Sequence, residues 1–281
     1  MIRDSLSLIR PRVALAVAAG SLFGALYHGV LHPGAALLGA DLLAPAGAFL
    51  LCAGCSALNQ LQERELDARM ARTSTRPLAS GRMTPAHGAL WAGLLLLAGL
   101  ALFFLAGGWT LLGLGLGIIL VYNGAYTPLK RVSPAALLAG GVAGAVPPLT
   151  GWLAVGGQPL DPRILGVTTI FYLWQVPHFW LLAEKHREDY GRAGFAVLRP
   201  GLDPAFRSRL MAIWVAAYFV GLGCLAGLFG PASLRFIVPP ALLLAGGAAA
   251  GLAAAERHRP ALAAMHLSLP LGLAPLLLNT F

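Results

Sequence analysis

Charge is scarce in this chain: Asp, Glu, Lys and Arg make up 11% of its 281 residues, against roughly a quarter in an ordinary soluble domain. With 58% hydrophobic residues and a mean hydropathy of +0.74, the composition belongs to the membrane class and excludes a water-soluble globule. Acidic residues are the rarer sign, 11 against 20 basic ones, for a formal net charge of +9. In a soluble protein that excess would suggest a nucleic-acid partner. Here it reads as loop orientation, and no nucleic acid is expected. Cysteine is nearly absent. Cys52 and Cys55 form a CxxC inside an apolar stretch, with no second pair or histidine at ligand spacing, and Cys224 stands alone. They read as small packing residues rather than redox or metal groups. A spanning helix uses about 20 apolar residues, so about nine of them fill the chain. No room is left for a separate soluble domain, and any chemistry must sit in the bundle or its loops.

Apolar runs predict an all-α polytopic bundle with spans near Val13–Tyr27, Leu42–Leu61, Ala89–Leu105, Leu111–Tyr126, Ala135–Val155, Ile164–Ala183, Leu210–Leu228, Phe236–Ala255 and Ala261–Leu278. The first is read as a span rather than a secretory signal, because no small-residue cleavage site follows it. Most of the 35 glycines, as in Gly113–Gly117 and Gly140–Ala145, read as points of close helix approach. Pro147-Pro148 and Pro239-Pro240 are expected to bend or interrupt their helices. With the amino terminus inside and the spans alternating, 18 of the 20 basic residues fall on the inner side. Only Arg163 and Arg235 lie outside. The positive-inside rule therefore supports both the count and a cytoplasmic amino terminus.

Orientation explains the arginines but not the carboxylates. Asn59, Glu63 and Asp67 recur every four residues at the end of the second span and so share one helix stripe. Carboxylates about 6 Å apart repel by roughly 3 kcal/mol at an effective dielectric near 20, so a cation is expected beside them. Glu65, four residues before Arg69, reads as a structural ion pair. A second acidic group, Glu184, Glu188 and Asp189, closes the sixth span. Two such groups on one side of the bilayer, flanked by arginines, suit divalent cations and a polyanion. Mg²⁺ takes few carboxylates plus substrate phosphate oxygens, and Arg and Lys clamp the remainder. An ion or substrate pathway, or simple decoration of the interface, stays open at this point.

Four ordered blocks carry a resemblance: NQLQERELDARMARTSTRPLASGRMTP (59–85), YTPLKRVSP (126–134), AGAVPPLTGWLAVGG (143–157) and WQVPHFWLLAEKHREDYGRAGFAVLRP (174–200). They resemble the asparagine–acid–acid segment with its RTxxRPLxxG stretch, the Tyr–Lys–Arg loop, the PPLxGW turn and the WQxPHF…DYxxAG block of the UbiA intramembrane prenyltransferases. The last block resembles that superfamily's haem O synthase (protohaem IX farnesyltransferase) branch. The chain departs from the pattern at Ala135-Ala136-Leu137, where the family usually has an asparagine, and at Arg199, inserted before Pro200.

The resemblance implies one prenyltransferase domain over 1–281, acting on farnesyl diphosphate and haem B at the lipid bilayer. In it Asn59, Glu63, Asp67, Glu188 and Asp189 hold Mg²⁺, with Asn59, Glu63, Asp67 and Asp189 as catalytic residues. Arg72, Arg76, Lys130, Arg131 and Tyr126 bind the diphosphate, and His178 and Trp174 contact the acceptor. For His178 a ligand, proton-carrier or packing role stays open; the other six histidines are given none. A downstream haem-modifying membrane enzyme is an expected partner. Without a transit peptide the expected location is a bacterial plasma membrane, with the site facing the cytoplasm. A prenyltransferase for a quinone precursor or other aromatic is the nearest alternative. A transporter is another, although its ionisable residues would lie near the midplane.

Overall fold

The computed structural model describes residues 2–33, 39–196 and 203–278, and among these no strand occurs. The helices are α1 (Ile2–Ile9), α2 (Pro11–Leu31), α3 (Leu43–Asp67), α4 (Pro85–Ile119), α5 (Thr127–Leu129), α6 (Ala136–Ala145), α7 (Pro147–Ala154), α8 (Pro162–Lys185), α9 (Arg187–Ala193), α10 (Pro204–Phe229), α11 (Val238–Ala254) and α12 (His258–Leu277). A π-helical stretch, Leu120–Tyr126, joins α4 to α5. Three helices start alike, with a capping oxygen before a proline. Thr84 accepts from His87 N, Asp161 from Arg163 N and Asp203 from Phe206 N, while Pro85, Pro162 and Pro204 take the first position. There a missing N–H costs nothing.

Each of the nine expected segments lies on helix. Among the described residues, six helical stretches are long and apolar enough to cross a membrane, one of them the 45-residue run Pro85–Leu129. That run carries two of the segments and breaks between them at Gly107 and Gly108, where Gly108 has φ +58°. The molecule's exterior is apolar: Leu97, Leu105, Leu244 and Phe236 are 67%, 67%, 78% and 86% exposed. Such a surface is stable only against another apolar phase. The protein is an integral membrane protein.

Neighbouring helices pack in a ring: α2 on α3 and α7, α3 on α4, α6 on α8, α8 on α10 and α12, and α10 on α11. The closest seam is α2 on α7. A Cβ at Gly24 would collide with the Pro148 carbonyl, and one at Gly151 with the Ser21 carbonyl. Thr150 Oγ1 donates to Ser21 Oγ across the same seam (2.9 Å). Gly140, Gly141 and Gly144 press on Tyr126, Tyr172 and Gln175, as close-approach glycines should. The Gly113–Gly117 run does not follow suit. Only Gly115 packs, against Leu100 and Phe103, and the other two face open space.

The prolines divide similarly. Pro147-Pro148 separate α6 from α7, whereas Pro239-Pro240 sit in the first turn of α11, where they start a helix rather than interrupt one. Pro177 lies inside α8 without ending it. Glu65 pairs with Arg64 (3.0 Å) and not with Arg69. The reason is that α3 stops at Asp67, so Arg69 is no longer one helical turn ahead.

Candidate active site

The last two turns of α3 carry Asn59, Glu63 and Asp67 on one stripe, as their spacing requires, and all three are at most 3% exposed. Burying two carboxylates demands compensation, and two neighbouring segments supply it. Lys130, just after α5, brings Nζ to 2.7 Å from Glu63 Oε1 and donates to Oε2 at 2.9 Å. Arg76, in the loop after α3, donates to Asp67 Oδ2 at 2.6 Å. Asn59 Nδ2 donates to Glu63 Oε2 and to Thr127 Oγ1, both at 3.0 Å. The cations expected beside the acidic stripe are therefore, in part, the protein's own. One acceptor nonetheless stays open: Asp67 Oδ1 has no hydrogen-bond donor among the described residues, whereas Glu63 Oε1 is ion-paired with Lys130, though off the bonding direction.

The π-helical stretch sets the opposing wall. Its wider turn carries Asn123 and Tyr126 inward, both buried. Asn123 Nδ2 donates to the Cys55 carbonyl (3.1 Å) and to Gln62 Oε1 (3.2 Å), and Gln62 Nε2 returns a bond to the Asn123 carbonyl (3.0 Å). Lys130 Nζ also lies over the Tyr126 ring at 4.7 Å. Arg131 is exposed and donates to the Gln62 carbonyl (2.6 Å). Asn123 and Thr127 were given no role from the sequence, although an asparagine inside LVYNGAYT was the visible signal.

The second acidic group comes to the same end of the molecule. Asp189, buried on α9, accepts from the backbone N–H of Ala71 (3.0 Å) and of Arg72 (3.3 Å), and Arg192 donates to its Oδ1. Asp67 and Asp189 thus flank one short loop. Met70, Ala193 and Phe195 close an apolar contact beneath it, and Ala196 N donates to the Lys130 carbonyl (3.0 Å). Arg192 first, and then the two N–H groups, hold the Asp189 carboxyl below its ordinary range. Glu184 is buried and paired with Arg187 and Arg207, while Glu188 is exposed. The inserted Arg199 and neighbouring Val197, Leu198 and Pro200 lie outside the described residues.

Arg72 is exposed. Crowding by surrounding atoms, then the like charges of Arg76 and Arg10, lower its pKa, with Tyr190 and Asp67 opposing. Arg10 entered the sequence reading only as an inner-side charge. It adopts a left-handed conformation (φ 49°) at the break between α1 and α2, and its charge reaches Arg72. Arg10, Arg72, Arg76, Lys130 and Arg131 thus concentrate positive charge around two buried carboxylates, of which Asp67 keeps an open oxygen.

The acceptor candidates lie deeper. On α8 the His178 ring stacks on Trp174 (centroids 4.3 Å apart, 12° between planes). His178 Nδ1 is 3.2 Å from Nε2 of His266 on α12, a residue given no role from the sequence. Trp174 Nε1 donates to the Met265 carbonyl (2.9 Å), fixing α8 against α12 at the same level.

A family profile described as the UbiA prenyltransferase family matches residues 13–269. The chain belongs to that family. Among curated relatives, the protoheme IX farnesyltransferase of Nitratidesulfovibrio vulgaris (strain DP4) is 46% identical over 221 residues, 79% of this chain and 75% of the relative. The protoheme IX farnesyltransferase of Geobacter sulfurreducens is 41% identical over 260 residues, 87% of this chain and 89% of the relative. Among solved structures, a digeranylgeranylglyceryl phosphate synthase superposes with a TM-score of 0.74 at 17% identity, covering 98% of both chains. A UbiA homolog from Archaeoglobus fulgidus bound to DMAPP and Mg²⁺ superposes with a TM-score of 0.68 at 15% identity, covering 99% of this chain and 100% of the other. At those identities the likeness concerns the fold. Among the described residues of this UbiA member, no three His, Cys, Asp or Glu side chains cluster closely enough to cage an ion unaided. A divalent ion here would complete its shell with substrate oxygens, as Mg²⁺ commonly does.

Proposed function

We propose that the chain transfers the farnesyl group of farnesyl diphosphate to a vinyl group of haem B, giving hydroxyethylfarnesyl haem (haem O) and diphosphate. The observation that carries the reading is the meeting of both acidic groups and the basic residues around the loop after α3, where Asp189 accepts from Ala71 N and Arg72 N. Identity of 46% to a farnesyltransferase over most of the chain supports the choice of donor and acceptor.

Asn59, Glu63 and Asp67 would hold Mg²⁺, while Asp189 on the opposing segment, whose oxygens already accept from Ala71 N, Arg72 N and Arg192, would fix the loop beside the ion, with Glu188 exposed outside it. The open Asp67 Oδ1 is the oxygen that fits it, and Glu63 Oε1 would join once Lys130 turns to the diphosphate. When bound, the ion neutralises charge on the leaving diphosphate. Arg72, Arg76, Lys130 and Arg131 bind the diphosphate and stabilise it as the allylic C–O bond breaks, with Tyr126 beside Lys130. The apolar helices exclude water from the farnesyl cation. The haem vinyl carbon attacks that cation to form the new C–C bond. Water then adds at the adjacent carbon and loses a proton, leaving the hydroxyl. Trp174 and His178, with His266 alongside, position the porphyrin. Nine spans, a cytoplasmic amino terminus and a plasma-membrane site open to the cytoplasm complete the proposal, and 18 of 20 basic residues on one side support it. The product would pass to a further haem-modifying membrane enzyme.

The test is incubation of purified protein with haem B, farnesyl diphosphate and Mg²⁺, followed by mass analysis of the porphyrin. A farnesylated, hydrated product is expected. Prenylation of a quinone precursor with haem left unchanged would reject the acceptor.

A further inference from the structure

The end of the bundle away from the paired acids holds a second polar site. Pro162 begins α8 and Lys185 ends it, so at 1.5 Å per residue these ends lie about 35 Å apart. Beside Pro162 opens a cavity of about 580 Å³, lined by Tyr27, Leu31, Arg163, Leu228 and Arg235 among others. Arg163 and Arg235 are the two basic residues that the charge partition leaves on this side. Neither forms an ion pair with a described residue. The nearby Asp161 is engaged as the cap of α8 through Arg163 N (2.8 Å). Tyr27 is wholly buried, and its hydroxyl has no hydrogen-bond partner among the described residues. An orphan phenol is costly to bury, a cost that a ligand acceptor would recover. The mouth lies against apolar surroundings: Leu228, Phe236 and Ile237 are 69%, 86% and 64% exposed.

We infer that this cavity binds the phosphate of an anionic amphiphile, a phosphatidylglycerol-like lipid of the outer leaflet. The Arg163 and Arg235 guanidinium groups take the phosphate oxygens, and the Tyr27 hydroxyl donates to the same headgroup. Leu31 and Leu228 meet the start of the acyl chains. The site depends on the membrane reading of the fold and not on the prenyl-transfer reaction, so either can fail alone.

Native mass spectrometry of the full chain in neutral detergent tests it, with phosphatidylglycerol, phosphatidylcholine and inorganic phosphate as probes. Phosphatidylglycerol is expected to bind at least about tenfold more tightly than phosphatidylcholine, with affinity rising with chain length. Arg235→Gln, on an exposed turn where folding is safe, should remove about tenfold of that preference. Tyr27→Phe should cost a few-fold. Arg259→Gln, exposed at the opposite end, should change nothing. Equal loss in Arg235→Gln and Arg259→Gln, or an undiminished preference in Arg235→Gln, overturns the site. Inorganic phosphate binding as tightly as the lipid overturns the assignment to an amphiphile.

Discussion

At the end of α3, Glu63 and Asp67 are buried and each keeps one oxygen without a well-aligned donor. On α9, Asp189 gives both oxygens to Ala71 N, Arg72 N and Arg192, and Glu188 faces outward. The same residue type, at the same end of the molecule, is thus set up for two tasks. The first pair has unused acceptor capacity and suits a ligand. Asp189 has little left and suits a clasp, tying the segment after α8 to the loop that carries Arg72 and Arg76.

Substitution at Asp67 should separate the two tasks most sharply. Asp67→Asn keeps an oxygen for Arg76 but removes the charge, and turnover should fall by about 10³-fold or more, with membrane insertion intact. Near-normal product from this variant would strip Asp67 of its proposed role. Asp189→Ala should likewise abolish turnover, by loosening the loop. Asp189→Asn keeps one acceptor for the Ala71 N–H and should recover part of the activity. If it is as inactive as Asp67→Asn, the contrast between clasp and ligand collapses.

Stability gives a third handle. Lys130→Ala leaves Glu63 buried without its partner, a loss of about 3–5 kcal/mol that thermal unfolding in detergent would report. Adding Glu63→Gln should restore most of the stability and none of the activity. The histidines come next. His178→Ala should weaken haem binding by about tenfold, and His266→Ala should do the same non-additively. Equal affinity and rate in variant and parent would make the pair packing. Acid is expected to act least. Arg192 and the two N–H groups depress the Asp189 pKa below about 3.9, its ordinary value. The clasp's contribution is therefore complete above that pH and lost only as pH falls through the lower, folded value. Amide exchange at Ala71 and Arg72, corrected for intrinsic rate, should stay protected from neutrality down to about pH 4.

How much of this could be seen beforehand follows from what each feature depends on. The Asn59–Glu63–Asp67 stripe was legible because helix periodicity alone puts those residues together. The nine apolar segments were legible for a similar reason. The partner of Asp189 was not, because a backbone N–H more than 100 residues away leaves no mark in composition. His266 looked like any lone helix histidine until α12 packed on α8. The π-helical turn at Leu120–Tyr126 was equally hidden, since the seven residues LVYNGAY suit an ordinary helix and only tertiary contacts at Asn123 widen it. Pro239-Pro240 misled by number: a proline pair reads as a break wherever it falls, and only position tells a first turn from an interior one. Glu65 misled because its spacing to Arg69 presumed a helix that stops two residues later.

The seam between α2 and α7 constrains how the enzyme can move. Where main chain rests directly on main chain, at Gly24 on Pro148 and Gly151 on Ser21, no flexible side chain is present to lubricate sliding. These two helices travel as one strut. A single added methyl at either glycine should splay the strut and spoil its alignment from one face to the other.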